Sequence, residues 1–394
     1  MNQRSHNKIC GLCICHNVTN HGSMLQCLAT LKALEKRKIP FEIIRYQKKI
    51  AFFEKVMFIP RLLNVYLIED KIKSLSRAIN LKINSTFAAY RKKRSEAVNS
   101  FKEKYFSKHF SPICLGYNNL VEYSKKYSAI LTGSDQLWSP SGLPTNFYNL
   151  MFASDNTLKI SYASSFGTSK IPFYQKKRTR QFLNRINYIS VREISGKKII
   201  KELTGKDVPV VVDPTLLLTK DEWAKIIPVK KIYDEPYILA YLLGTSKTHR
   251  ARVLELSKKI NLKIVALHHL DQYVKADDGF GDYTPANIGA EEFVNLVRHA
   301  SFVCTDSFHG SIFSIIHHKQ FITFNRYSDN AIVSKNTRID SLFSNLGIIN
   351  RRYKNDLFNE IQEPLNFTII DEKLDNLRNE SEKYLDKAFK SMMS

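Results

Sequence analysis

The amino-acid sequence predicts an α/β protein of two Rossmann-like, doubly wound units, with a basic helical insertion in the first. Three observations carry that expectation. A chain of 394 residues is too long for one ordinary core. Short apolar runs alternate with stretches of helical period. Run after run then ends in a small or polar cluster, the pattern expected at the ligand-binding edge of an open parallel sheet.

The first unit opens as strand, turn, helix, strand. Ile9 to Cys15 is an apolar run, and Val18 to Ser23 (VTNHGS) is turn-rich. Met24 to Lys38 carries Leu28, Leu31 and Leu34 on one helical face, and PFEIIRY follows as the next strand. The stretch from Ile50 to Phe110 reads as helical and basic, an insertion over about 48–110 that lies outside the sheet. Strands resume at Tyr127–Leu131, Lys159–Ser165, Tyr188–Val191 and Val208–Val212, ending in TGSD, SFG, RE and DP. After VDPTLLLTKDEW the pattern restarts, which places the division near residue 215, between units 1–215 and 216–394. In the second unit, strands Tyr237–Leu242, Lys263–Leu267, Phe302–Cys304 and Phe321–Phe324 alternate with helices Arg250–Lys259, Glu291–His299 and Ser311–His317. A last amphipathic helix, about Glu372–Met392, is expected to pack back across the molecule.

Charge narrows the class of partner. The formal net charge is +23, which favours polyanions: nucleic acid, anionic lipid or phosphorylated substrates. Lys48 to Lys108 holds fifteen Lys/Arg against five Asp/Glu, so ten of those charges sit in the insertion. No helix-turn-helix, RRM or zinc-ligand pattern supports sequence-specific binding of nucleic acid. The basic run Arg91, Lys92, Lys93, Arg94 fits contact with an anionic membrane surface better. The N-terminal apolar run is short for a signal-peptide core and far short of a membrane span. The expectation is a cytoplasmic chain with peripheral contact on the inner face of the membrane. Cys10, Cys13, Cys15 and His16 lack a second ligand pair, so the thiols read as buried small side chains and no metal is expected.

Three places concentrate chemistry. Thr305-Asp306-Ser307-Phe308-His309-Gly310-Ser311 lies between a strand and a helix. Unpaired N–H groups at a helix start attract phosphate or carboxylate, Gly310 permits close approach, Ser311 can cap, and His309 is placed to move a proton. Gly133-Ser134-Asp135-Gln136-Leu137-Trp138 follows a strand, with Trp138 as a wall for a sugar ring and Ser134, Asp135 and Gln136 as ligand contacts. The loop holding Asn20, His21 and Gly22 opens the first helix but lacks the GxGxxG spacing of a dinucleotide site. Arg192, Arg326 and Arg338 stand at or beyond strand ends, where guanidinium grips carboxylate or phosphate.

In order along the chain, HNVTNHGSMLQ, GSDQLW, YASSFG, ISVREISGK, VVDPTLL, GAEEFVNLVRHASFVCTDSFHGSIFSII and NTRIDSLFSNLG resemble the polysaccharide pyruvyltransferase family over roughly residues 8 to 350. The resemblance implies a GT-B-like arrangement with the site in the interdomain cleft. It also implies pyruvyl transfer from phosphoenolpyruvate to a lipid-linked or soluble oligosaccharide of a surface polysaccharide such as capsule or exopolysaccharide, giving a cyclic ketal. No cofactor is needed beyond that donor substrate. His309 matches the family's motif histidine, the proton carrier, and Arg192 its strand-end arginine, a donor ligand. One departure stands out: family members tend to carry Arg-Leu before that histidine, where this chain has Ser307 and Phe308. Either Arg326, Arg338 or a lysine replaces the missing guanidinium, or the donor differs. The competing readings are a GT-B glycosyltransferase using a nucleotide sugar and a non-enzymatic binder of anionic membrane or nucleic acid.

Overall fold

The computed structural model describes residues 8–49, 65–140, 146–269, 272–327 and 337–393. Part of the expected insertion, 50–64, lies outside the described residues.

The first sheet contains β1 (Cys10–Cys13), β2 (Phe41–Gln47), β3 (Phe110–Leu115), β4 (Ala129–Gly133), β5 (Leu158–Ser164) and β6 (Tyr188–Val191), all parallel, in the order β3-β2-β1-β4-β5-β6. That is the doubly wound order, with its reversal between β1 and β4. The second sheet contains β7 (Tyr237–Tyr241), β8 (Lys263–Ala266), β9 (Phe302–Thr305) and β10 (Phe321–Thr323), parallel in the order β10-β9-β7-β8, with the reversal between β7 and β9. The helices in chain order are α1 (His21–Lys36), α2 (Val65–Ile83), α3 (Ser85–Tyr105), α4 (Tyr117–Ser124), α5 (Phe173–Arg185), α6 (Ile194–Thr204), α7 (Pro214–Leu217), α8 (Lys220–Ile226), α9 (Lys247–Ile260), α10 (Ala290–His299), α11 (Phe308–Ile316), α12 (Thr337–Leu346), α13 (Leu357–Glu360) and α14 (Phe367–Met393).

Three elements differ from the sequence expectation. Helix α1 starts at His21 rather than Met24, because the Asn20 side chain accepts from the Ser23 backbone N–H and caps it. Strand β3 begins where the expected insertion ends, at a place where the sequence pattern announces no strand. It is an edge strand containing Pro112, and an edge is where a sheet tolerates proline. Val208–Val212 is no strand but a single bridge from Val210 to Val191, since Pro209 has no N–H to give a ladder.

One apolar core links the two sheets. Leu25 and Leu28 of α1, Phe293 and Val297 of α10, and Phe313 and Ile316 of α11 belong to a single buried cluster. Helix α14 reaches back to the first sheet, with Tyr384 donating to the Ser161 carbonyl at 2.8 Å and Ser381 accepting from the Val212 N–H at 3.0 Å. The packing therefore holds the carboxyl edges of both sheets against each other, with α1 and α11 in contact. Among the described residues no helix is long and apolar enough to cross a membrane.

Candidate functional site

Both chemical clusters stand at the two points where strand order reverses. From the second sheet, β9 ends at Thr305 and α11 begins at Phe308, capped by Ser307, whose Oγ accepts from the Gly310 N–H. Gly310 is required by the close passage over β9: a Cβ there would lie 2.3 Å from Thr305 Oγ1. Ser311 is buried, its hydroxyl engaged with the Ser307 carbonyl and Thr323 Oγ1. Gly310 and Ser311 thus shape the turn rather than touch a donor. Asp306 is likewise a clamp rather than a pocket residue. Its carboxylate accepts from the N–H groups of Leu243 at 2.7 Å and Gly244 at 2.6 Å and holds the Arg326 guanidinium at 3.1 Å.

From the first sheet, Ser134 and Asp135 follow β4, both with positive φ (50° and 54°), a conformation unusual for residues with a Cβ. The bend sends Ser134 Oγ to Asp213 Oδ2 at 2.7 Å and lets Asp135 accept from Ser23. Arg192, at the end of β6, donates to the same Asp213 oxygen at 2.6 Å. His309 Nε2 lies 3.7 Å from the other Asp213 oxygen, an electrostatic contact longer than a hydrogen bond. Asp213 therefore joins a histidine of one half to an arginine of the other. Burial alone would raise its pKa, but His309, Arg192 and Thr215 hold the carboxylate far below its ordinary value. Asp135 is treated the same way: burial raises it, and Arg192, Ser23 and His309 more than reverse that.

Cations then gather around Phe308. The Arg192 guanidinium stands 4.8 Å from the ring centroid and that of Arg338 5.4 Å. Burial, together with the charge of Arg192, lowers the Arg338 pKa to about 10. Among the described residues around this ring, five buried nitrogens have no hydrogen-bond partner: Arg192 Nε and Nη2, Arg326 Nε, Arg338 Nε and His309 Nε2. Leaving a buried donor unsatisfied costs about 1–3 kcal/mol, and anionic oxygen is the chemistry that would satisfy these groups.

The loop before α1 closes the site. A Cβ on Gly22 would lie 2.1 Å from His309 Nδ1, so only glycine lets the helix start against that ring. His21 is buried, stacked on Phe293 with ring centroids 5.1 Å apart, and its Nε2 accepts from Arg94 Nη1 at 2.8 Å. Burial, and then the Arg94 charge, push its pKa well below the usual value, so it is a neutral brace. Arg94 corrects the reading of the Arg91–Arg94 run as a surface patch. Its side chain is fully buried, donating to the carbonyls of Pro285 and Ala286 and to Tyr90.

One further expectation fails. Trp138 walls no pocket: it is fully buried among Phe166 and Phe182, with Nε1 donating to the Tyr148 carbonyl. Gln136 is half-buried and packs against Gly167. Asp213 and Arg94 were not singled out in the sequence as site residues. The signal for Asp213 was its place in VVDPTLL, yet an Asp before Pro at a helix start is equally a cap, and here it is that too. Among the described residues no three His, Cys, Asp or Glu side chains gather as a metal site requires. The N-terminal thiols are free, and burial raises the Cys10 pKa to about 12.

A family model described as polysaccharide pyruvyl transferase matches residues 20–328, which includes His309, Arg192, Asp213, Asp135 and Arg326 but not Arg338. No curated protein matches the chain. Among solved structures, the chain is similar to a candidate UDP-N-acetylglucosamine 2-epimerase from Listeria monocytogenes, with a TM-score of 0.51 and 13% identity over 97% of this chain and 91% of that one. It is similar to another UDP-N-acetylglucosamine 2-epimerase with a TM-score of 0.50 and 11% identity, covering 97% of this chain and 95% of that one. These likenesses establish the two-sheet GT-B-type fold.

Proposed function

The chain belongs to the polysaccharide pyruvyl transferase family, and from that premise we propose that it moves the pyruvyl group of phosphoenolpyruvate onto a sugar of a surface-polysaccharide intermediate. The observation that carries the reading is the set of unpartnered guanidinium and imidazole nitrogens buried around Phe308. A donor with one carboxylate and one phosphate matches that set. Arg192 and Arg338 grip one anionic group, and Arg326, anchored by Asp306, faces the other. Arg338 takes over in space the charge that Ser307 does not supply in sequence.

The chemistry follows from the groups present. Protonated His309 gives its proton to the donor's methylene carbon, and the developing positive charge at the adjacent carbon is met by an acceptor hydroxyl oxygen. The neutral imidazole takes the hydroxyl proton. Phosphate leaves the tetrahedral carbon with its bonding pair, and a second hydroxyl of the same sugar adds there, passing its proton to the departed phosphate and closing the ketal. Asp213, beside the ring, balances the charge of the imidazolium form. Exposed Lys92 and Lys93 keep contact with an anionic membrane surface within the same reading.

The test is a thermal-shift panel followed by a phosphate-release assay with lipid-linked glycan. Phosphoenolpyruvate should stabilise the protein, and His309→Gln should lose roughly 10²–10⁴-fold in transfer with an unchanged melting temperature. Stabilisation by a UDP-, GDP- or CMP-sugar but not by phosphoenolpyruvate overturns this reading in favour of a glycosyltransferase, the alternative that Ser307 and Phe308 keep open.

A further inference from the structure

We propose that the cavity between α3 and the loop following β8 is a separate binding site for an uncharged sugar unit of the acceptor glycan. The inference rests on the acceptor being a glycan. The cavity measures about 410 Å³, within the range of small-ligand sites, and lies at the carboxyl end of β8. Strand β7 separates β8 from β9, so the opening is displaced about 10 Å along the same edge from the strand that presents His309. A short oligosaccharide spans that gap.

The lining selects the ligand. In a chain with 60 Lys and Arg, none of the described residues lining this cavity is Lys or Arg. A phosphate, diphosphate or nucleotide finds no lysine or arginine among them and meets the side chains of Asp277 and Asp278. Aromatic faces and short polar groups stand in their place, the combination that suits the apolar face and hydroxyl rim of a sugar ring. Tyr90 stacks on His268 with centroids 5.5 Å apart, and Phe87 meets the edge of Tyr273 at 5.9 Å. These rings are already held. Tyr273 donates to Asp278, and Asp277 is fixed by Arg250 at 2.7 Å from behind. Gly281, with φ of +97°, brings the backbone so near β8 that a Cβ would lie 2.6 Å from that of Ala266. Such pre-ordering lowers the entropy cost of binding.

The same wall is wired to the reactive pocket. The Tyr90 hydroxyl accepts from Arg94 Nη2 at 2.7 Å, Arg94 Nη1 bonds His21 at 2.8 Å, and neighbouring Gly22 abuts His309. Sugar seated on Tyr90 therefore bears on the loop that fixes the imidazole.

Binding of chitobiose, lactose and maltose is measured by saturation-transfer NMR and calorimetry on the full chain, without donor. At least one disaccharide should saturate the protein. Tyr273→Ala and Gln272→Ala, the latter at a neighbouring residue of the cavity lining, should each weaken it tenfold or more, while Tyr273→Phe, which keeps the ring, should not. Stabilisation by phosphoenolpyruvate should be equal in all variants. The proposal is overturned if no disaccharide binds, if both alanine variants bind as the parent does, or if UDP displaces the sugar. Sugar binding without any response to phosphoenolpyruvate would sink the donor reading and leave this site standing, so the two failures are distinguishable.

Discussion

Two sites on the carboxyl edge of the second sheet have opposite chemistry. The one around Phe308 gathers the buried Arg192 and His309 with the half-buried Arg326 and Arg338, and its carboxylates are held ionised by the cations beside them. The one beside Tyr273 has aromatic rings and no lysine or arginine among its described lining residues. Both sit beyond strand ends, where the fold leaves backbone groups and loops free for ligands. The difference lies in which part of the first half completes each. The first sheet brings Arg192, Asp213 and Asp135 to the Phe308 pocket, whereas the second cavity is closed by helix α3, whose only buried charge is Arg94. Position on a sheet edge makes a pocket, and the opposing surface decides its charge.

The sharpest way to break the contrast is to remove the carboxylate that neutralises the cationic pocket. Asp213→Asn leaves Arg192 buried without its partner and should cost about 3–5 kcal/mol of stability at neutral pH. Its folded pKa is depressed, so its contribution is complete above the unfolded carboxylate value of about 4 and is lost as pH falls toward the folded value. Denaturant melts from pH 7 to pH 2 should show that acid-side decline in the parent and a flatter profile in the variant. An equal slope in both would remove Asp213 from its central place.

A smaller effect is expected at the seam between the halves. Gly22→Ala places a methyl where the His309 ring stands and should lower turnover about 100-fold, since displacing a reacting group by an ångström costs on that order. Disaccharide binding in the aromatic cavity should persist, and its loss would show that the two pockets are one. Smaller again, Arg338→Ala removes one charge-assisted contact and should weaken phosphoenolpyruvate about 10–100-fold in calorimetry, the equivalent of about 1.5–3 kcal/mol. No change would return the vacancy left by Ser307 to another residue. Sugar affinity should again be untouched.

Much of this was legible in the sequence because it is local. The helix of Leu28, Leu31 and Leu34 and the strand-end clusters are set by neighbours a few residues apart, whereas α11 starts at Phe308 with Ser307 as its cap, not at Ser311 as expected. His309 and Arg192 stood out because chemistry at strand ends is a rule of position, and the fold brings both against Asp213. Burial was not legible, because it depends on what packs from elsewhere. Arg94 stands in RKKR and reads as surface, yet Pro285, Ala286 and His21 cover it. Trp138 stands in a polar turn and reads as exposed, yet Phe166 and Phe182 enclose it.

Taken alone, the order of residues determined the alternating α/β pattern, the two Rossmann-like halves and the motifs that mark a pyruvyl transferase relative, since periodicity and spacing survive without coordinates. Only the tertiary structure decided that Asp213 couples His309 to Arg192, that Arg338 joins Arg192 over Phe308, and that a cavity with no lysine or arginine among its described lining residues lies beside α3. Each of these depends on distances between groups far apart in the chain. Such distances are set by how sheets and helices bury their apolar faces against one another, and no local pattern encodes them.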